Sequence, residues 1–464
     1  MKFGGSLVGS KDGTKRVADI VESYHARNSL VAVVSALGDV TDVLAKAASE
    51  ATLRDESAPA KVKEELGRIH SEAVAGTSLD AGERATLTTR LDATLEELEA
   101  VLTGVSLLKE LSPRSRDLIL SFGERLAAPI VAAAIRKRGI ASRDLTGGQA
   151  GIVSDRSFGE AIPDVKATRR GVIRALLKPI AEGEVPVVAG FLARTRDGDV
   201  TTLGRGGSDY TATIVANAIH ADEVWIWTDV DGIMTGDPRV VRRPRVIARL
   251  GYAEAEELAF FGAKNMHPLA LGPARLGGIP VRIRNGFRPN LPGTLIKGGE
   301  RRSAGVVKCV GAVKSVGLLS VSGKTLQGRP GTAARVFSAL AAARVNVMMI
   351  SQSVSEADIS VVVKRQSLRA AKEAVRDELR RDGIAAAVEA DAGVAVIAAV
   401  GAGMRGTRGV AAKLFGAVAA EGINVKMIAQ GSSELSISFV VDEERANAAV
   451  RVVHALAVAG SRVG

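Results

Sequence analysis

A repeat in the last third of this 464-residue chain is the feature that most limits how it can fold. Gly331, Phe337, Asn346, Gln352 and Ile359 recur as Gly409, Phe415, Asn424, Gln430 and Ile437, each displaced by 78 positions. One offset kept through five residues of different type means that a single supersecondary unit is built twice. In each copy a β-rich run leads into a glycine-containing loop, a helix carrying the phenylalanine, a strand after Asn-Val, and a second strand of alternating apolar residues. The spacing therefore predicts two small β-α-β-β units. A chain of this length exceeds one ordinary core, so the residues before the repeat are expected to form a larger domain of their own.

That larger part alternates. Short β-branched runs at 30–35, 185–190, 223–227 and 279–283 are bounded by glycine or polar residues, and longer helical stretches such as 165–177 separate them. Strands alternating with helices predict a largely parallel sheet covered on both faces. Residues from about 49 to 135 break the pattern with Leu87, Leu91, Leu95, Leu98 and Leu102 at helical spacing, which predicts a helical insertion. The stripe is too short for a coiled coil, which needs roughly three or four heptads.

Lys and Arg outnumber Asp and Glu to give a net charge of +11, which suits an anionic partner, whereas 3% aromatic content argues against base stacking. Arg239, Arg242, Arg243, Arg245 and Arg249 are interrupted by Val and Pro and have no aromatic platform beside them. They read as a solvated face or the edge of a nucleotide site rather than a DNA-binding surface. Cys309 is the sole cysteine, so there is no intrachain disulfide and no multi-cysteine zinc site, and a plain buried thiol is its expected role. No uncharged apolar run reaches the roughly 20 residues that span a bilayer, and the start lacks an apolar signal region, so a soluble, cytoplasmic protein is expected.

Two segments suggest anion chemistry. Lys2-Phe3-Gly4-Gly5-Ser6 can be a strand end running into a phosphate-binding turn, although any strand can end in Gly-Gly. Thr202-Leu203-Gly204-Arg205-Gly206-Gly207-Ser208-Asp209 opens into a helix predicted over 211–219, whose first turn favours an anion. There Arg205 can clamp a carboxylate, while Asp209 can orient a lysine, coordinate magnesium, or simply cap the helix. A polar loop at 228–239 follows a buried strand, the usual ligand position in such sheets. Its Asp229, Asp231 and Asp237 lack the spacing and closing Glu of a calcium loop.

Glu124 stands just before a strongly apolar helix, and Lys264 near the start of another; His267 has no spaced partner and reads as structural. Two further motifs fail as nucleotide signatures. Gly401-Ala402-Gly403-Met404-Arg405-Gly406 fits the dinucleotide fingerprint but lies inside the repeat, and Gly323-Lys324-Thr325 lacks the first glycine of a P-loop, which is Leu318.

Taken together, these segments resemble the aspartate kinases, a branch of the amino-acid-kinase family. The likeness runs through Lys2-Phe3-Gly4-Gly5, Val33-Val34-Ser35-Ala36 with Thr41, Phe122-Gly123-Glu124, Leu145-Thr146-Gly147 with Gln149-Ala150-Gly151, residues 202–211, 228–239 and 261–268, then two ACT-like repeats. It implies a three-layer α/β amino-acid-kinase fold, with a mostly parallel central sheet and helical insertion, over 1–300. Two ferredoxin-like ACT domains would follow over 301–388 and 389–464, with interleaving a possibility.

By the same resemblance the activity is ATP-dependent phosphorylation of the β-carboxylate of L-aspartate, with ATP and Mg2+ as cofactors and no metal held by the protein itself. Ser35, Thr41, Glu124 and Arg205 would hold aspartate, and Lys2 would contact the transferring phosphoryl group with Asp209 organising it. Gly4, Gly5, Thr228, Asp229, Met234, Arg239 and Lys264 would join Lys2 around ATP. Gly331, Thr332, Asn346, Val347 and Gln352 would contact an amino-acid effector (lysine, threonine or methionine), and the ACT-like units imply a homodimer or higher oligomer. A kinase for another small acid, or a sensing subunit with a degraded site, are the alternatives. Only Met1 precedes Lys2, so the strand expected to fix this lysine is nearly missing.

Overall fold

The computed structural model describes residues 1–10, 12–53, 57–260, 268–299 and 306–459. They divide into two compact units: one of residues 1–233, 248–252 and 264–298, the other of 234–247, 253–263 and 299–464.

The first unit is built on ten strands: β1 (Lys2–Phe3), β2 (Ala32–Val34), β3 (Ser142–Leu145), β4 (Val185–Ala189), β5 (Leu192–Arg194), β6 (Val200–Thr202), β7 (Val224–Thr228), β8 (Arg249–Leu250), β9 (Val281–Asn285) and β10 (Thr294–Ile296). Eight form one sheet in the order β3-β4-β2-β1-β7-β9-β10-β8, while β5 and β6 make a separate hairpin. Every neighbouring pair in the large sheet is parallel except β9 with β10. Strands β2 and β4 are buried along their whole length, as a sheet covered on both faces requires.

Two residues suffice for the first strand. The strand begins at Lys2 itself, as expected, yet Lys2 pairs with Val33 on one side and Ile226 on the other, so β1 lies at the centre of the sheet despite its length. The N-terminal ammonium donates to the Val31 carbonyl at 2.7 Å, and burial pushes its pKa down to about 5.

Helices α1 (Gly5–Val8), α2 (Gly13–His25), α3 (Val40–Glu50), α4 (Ala58–Ala75), α5 (Ala81–Leu108), α6 (Pro113–Arg136), α7 (Val165–Ala181) and α8 (Gly207–Ile219) complete most of the first unit. The leucine stripe of α5 is buried in the same core as β1 and β2, so the helical stretch thickens one domain instead of making another. Asp80 and Glu83 form a reciprocal cap at its start. Helix α6 is long and apolar enough to cross a membrane, yet 89% of its apolar window is buried inside the protein, which makes it a core helix.

The second unit carries β11 (Cys309–Ser322), β12 (Val347–Gln352), β13 (Asp358–Lys364), β14 (Ala387–Val400), β15 (Met427–Gln430) and β16 (Ser436–Asp442) in one antiparallel sheet, ordered β12-β13-β11-β14-β16-β15. The long strands β11 and β14 change roles halfway. Strand β11 pairs with β14 along its length; Val316 to Ser322 also pair with β13 on the other side, while the end of β14, which faces Cys309 to Val313, pairs with β16 on its other side. Helices α11 (Thr332–Ala342), α12 (Leu368–Arg381), α13 (Val410–Ala420) and α14 (Ala446–Ala459) cover the sheet, after α9 (Tyr252–Phe260) and α10 (Gly272–Gly277) earlier in the chain.

Each copy is thus a six-element β-α-β-β-α-β unit, larger than the four elements that the repeat predicts. The second copy takes its last strand from the start of β11, so the copies are interleaved through shared strands. The failed nucleotide motifs are one element seen twice: short 3-10 turns at Lys324–Leu326 and Ala402–Met404 follow the first strand of each copy. Cys309 is buried, its thiol 3.1 Å from the Met234 carbonyl and its pKa pushed up to about 12 by burial.

Candidate active site

A pocket of about 560 Å³ opens in the first unit beyond the carboxyl ends of β1 and β2, where ligands settle in open parallel sheets. Lys2, Gly5, Ser35, Thr41, Glu124, Arg205 and Asp209 all line it. Five helices and strands and two turns supply them from stretches spread over 208 positions, which is why an apolar pattern alone could not have gathered them.

Close backbone approaches make the gathering possible. A side chain on Gly5 would sit 2.7 Å from the Ala36 carbonyl oxygen, and one on Gly123 would sit 2.8 Å from the Ala36 methyl. With neither present, α1 and α6 close on the turn after β2. Glu124 then reaches the Ala36 amide, which donates to Oε1 at 3.2 Å.

Glu124 is 3% exposed, and its other oxygen, Oε2, is buried without a hydrogen-bond partner among the described residues. Burial pushes its pKa up to about 8, only partly opposed by the Ala36 amide and the charge of Lys2. A buried oxygen left unmatched costs about 1–3 kcal/mol, more for a charged group. Glu124 is also one of the residues that line the pocket.

Lys2 and Asp209 form an ion pair at 2.7 Å, with side chains 11% and 8% exposed. Asp209 stands in the first turn of α8 and does not cap it: the cap is Gly206, whose φ of 71° is the left-handed conformation glycine adopts freely. The helix begins four residues earlier than the sequence predicts, at Gly207. Arg205, on the turn before it, is exposed and makes no ion pair among the described residues. The pocket therefore offers an exposed guanidinium, an ammonium held in an ion pair and a buried glutamate with one unmatched oxygen.

The remaining expected residues lie elsewhere. Thr228 ends β7 and its hydroxyl donates to Asp229 at 3.0 Å. Gly4 donates its amide to the Trp227 carbonyl at 3.0 Å, which ties the first turn to the same strand. Asp231 is engaged by Asn285 at 2.7 Å and Arg288 at 2.6 Å, and Asp237 by Arg239 at 2.6 Å, so these acids are neutralised by the chain itself. Among the described residues no three His, Cys, Asp or Glu side chains gather as a metal site. Met234 and Arg239 fall in the second unit. Lys264 and His267 lie outside the described residues.

In the second unit Gly331 caps α11 with φ 88°, and the Thr332 hydroxyl donates to the Arg329 carbonyl at 3.0 Å. Asn346 and Gln352 are exposed and Val347 is half-buried, at either end of β12. Sequence reasoning missed Asp117, Arg116 and Gly159. Arg116 and Gly159 line the pocket, and Asp117, fully buried, stands seven residues before Glu124 on the same face of α6. The signal was an acidic residue within an apolar helix stripe, which demands a partner.

Comparison with known proteins places this geometry among relatives. Residues 1–285 match the amino acid kinase family, and 319–379 and 397–456 each match the ACT domain. Aspartokinase 1, chloroplastic, of Arabidopsis thaliana is 33% identical over 464 residues, covering 98% of this chain and 79% of that protein. The structure of E. coli aspartokinase III in complex with aspartate and ADP (R-state) aligns with a TM-score of 0.84 at 29% identity, covering 98% of both chains. The same enzyme with lysine and aspartate (T-state) aligns at 0.77, again with 29% identity and 98% of both chains.

Proposed function

Since the chain belongs to the amino acid kinase family and is an aspartate kinase, we propose that its pocket holds L-aspartate by the α-ammonium and α-carboxylate and turns the β-carboxylate toward the γ-phosphoryl group of ATP. Phosphorylation of aspartate, use of ATP and allosteric control through ACT domains follow from that membership. The acting residues and the oxygen phosphorylated are our reading, with 4-phospho-L-aspartate as product.

The observation that carries it is the unmatched Oε2 of Glu124, buried beside a cavity that also holds Lys2 and is rimmed by Arg205. An α-ammonium group supplies the missing donor, and the Arg205 guanidinium suits the adjacent α-carboxylate in bidentate fashion. Ser35 and Thr41 add hydroxyls around the same substrate. The β-carboxylate is ionised at neutral pH and needs no general base. Catalysis then consists of positioning two anions and offsetting their repulsion.

Lys2 supplies positive charge where the phosphoryl group passes, and Asp209, paired with it, holds that ammonium in one direction. Gly4 and Gly5 leave room for phosphate beside this lysine, and Thr228 and Asp229 are assigned to the nucleotide. Met234, Arg239 and Lys264 stay with it on the resemblance alone. Magnesium fits as a passenger of the nucleotide, since this donor set has no carboxylate cage and the ion is commonly held by phosphates, water and one or two carboxylates. Bound there it would offset negative charge on the phosphates.

The reading extends to a cytoplasmic homo-oligomer that performs the first step of lysine, threonine and methionine biosynthesis. One of those amino acids would act as effector near Gly331, Thr332, Asn346, Val347 and Gln352; the lysine complex of the E. coli relative supports this class. No nucleic acid or membrane partner is invoked. ADP production measured with aspartate, glutamate, N-acetylglutamate and uridylate tests the assignment. Turnover with aspartate is expected to exceed that with each of the others, and preference for any other acceptor would overturn it.

A further inference from the structure

The proposed substrate grip comes from two elements that do not adjoin in sequence: Glu124 on α6, and Arg205 on the turn that follows β6. A Cα held between them has a defined position only if the helix and that turn are locked together. The chain places one buried carboxylate at this junction. Asp117 Oδ2 accepts from the amides of Gly159 at 2.9 Å and Thr202 at 2.8 Å, and Oδ1 accepts from the Thr202 hydroxyl at 2.8 Å. Its side chain is fully buried, and Thr202 stands three residues before Arg205. The Thr202 carbonyl in turn accepts from the Ala161 amide at 2.9 Å, so one carboxylate fixes both the 159–161 turn and the end of β6.

We infer that Asp117 is a positioning residue that sets the distance between the amino-acid anchor and the phosphoryl-transfer centre, and through it the side-chain length the enzyme accepts. The inference rests on the reading that Glu124 and Arg205 grip the substrate backbone. Aspartate and glutamate present the same α-groups there and differ by one methylene, so only the anchor's distance from Lys2 separates them. Asp117 is not among the residues that line the pocket. Burial pushes its carboxyl above the usual range, opposed in part by the three donors it organises. If those bonds are removed, the turn carrying Arg205 can move relative to Glu124, and a shift of about 1 Å is enough to cost roughly a hundredfold in rate.

The test is steady-state kinetics on the full chain. Asp117→Ala should raise KM for aspartate about tenfold and lower the aspartate-to-glutamate ratio of kcat/KM by about tenfold, the scale of one methylene, with KM for ATP unchanged. Asp117→Asn keeps an oxygen for the two amides and should restore the wild-type ratio. Should Asp117→Ala fail to fold, Thr202→Val removes one of the three bonds and should lower the same ratio by about two- to threefold. An unchanged ratio in a folded Asp117→Ala or in Thr202→Val, or equal losses toward both acids and ATP, overturns the inference while leaving the aspartate reading intact. A wild-type chain inactive toward aspartate overturns both.

Discussion

Each unit of this protein buries a glutamate, and the two are treated in opposite ways. Glu254, in the second unit, is 0% exposed: its Oε2 lies 2.8 Å from Lys308 Nζ, and its Oε1 accepts from the Ala402 amide at 2.6 Å. Three residues on, Glu257 accepts from the Ser436 hydroxyl at 2.9 Å. Glu124, in the first unit, has one amide donor and one oxygen with none. A buried carboxylate satisfied by its own chain is a joint, whereas one left short by a single donor is addressed to a ligand. The difference lies in the neighbours rather than in burial, so residue type and exposure alone would have classed the two together.

The comparison breaks first at the joint if it is wrong. Glu254→Ala leaves Lys308 buried without its counter-charge and should cost about 3–5 kcal/mol in denaturant unfolding, with part of the loss recovered by adding Lys308→Met. An unaltered midpoint would show that the pair is not structural. For Glu124→Gln the opposite pattern is expected: kcat/KM for aspartate falls roughly a hundredfold, about 2.7 kcal/mol, while the melting temperature at neutral pH changes little, because a neutral amide replaces a carboxyl that is already protonated in the free enzyme. A drop in melting temperature with normal kinetics would make Glu124 another joint.

The same asymmetry should appear in pH. With its pKa raised from 4.5 to about 8, Glu124 is protonated in the free enzyme at neutral pH and must ionise to receive an ammonium group. KM for aspartate should therefore fall as pH rises toward about 8, by at most about tenfold per unit. Calorimetry in buffers of different ionisation enthalpy should detect a proton released on binding at pH 7. In the free protein the sign is reversed: the folded state keeps a proton that the unfolded chain loses above pH 4.5, so this contribution to stability disappears as pH rises from 4.5 through about 8. Binding without proton release would place the cation elsewhere.

The smallest effect is expected between the repeats. Asn346→Ala should weaken feedback inhibition by about three- to tenfold, roughly 1 kcal/mol of effector binding, and the matching Asn424→Ala should leave it unchanged. Equal shifts in the two inhibition curves would mean that both copies sense the effector.

Much of the fold was legible because periodicity reports burial directly. The offset of 78 found both copies, the alternation of strands and helices found the parallel sheet, and the stripe from Leu87 to Leu102 found α5. Lys2, Arg205 and Asp209 were suggested by chemistry at a turn or helix start, whereas Glu124, expected just before a helix, lies in the middle of α6; all four line one pocket. What stayed hidden depends on contacts between distant segments. Nothing local reveals that β11 serves two units, that most of α9 packs with the second, or that Gly206 rather than Asp209 caps α8. Asp117 was visible only as an oddity, since its meaning lies in two amides 42 and 85 residues away.

The double service of β11 bears on how the chain matures. Residues 309–313 leave the ribosome long before 396–400, with which they pair, and at about 5–20 residues per second the wait lasts roughly 5–20 s. During that interval the nascent sheet displays an unzipped edge, the kind of surface that chaperones shield and that recruits other chains. The same stitching resists modular swapping: a graft cut near residue 388 would sever β14, and the transplanted C-terminal copy would arrive without its outermost strand.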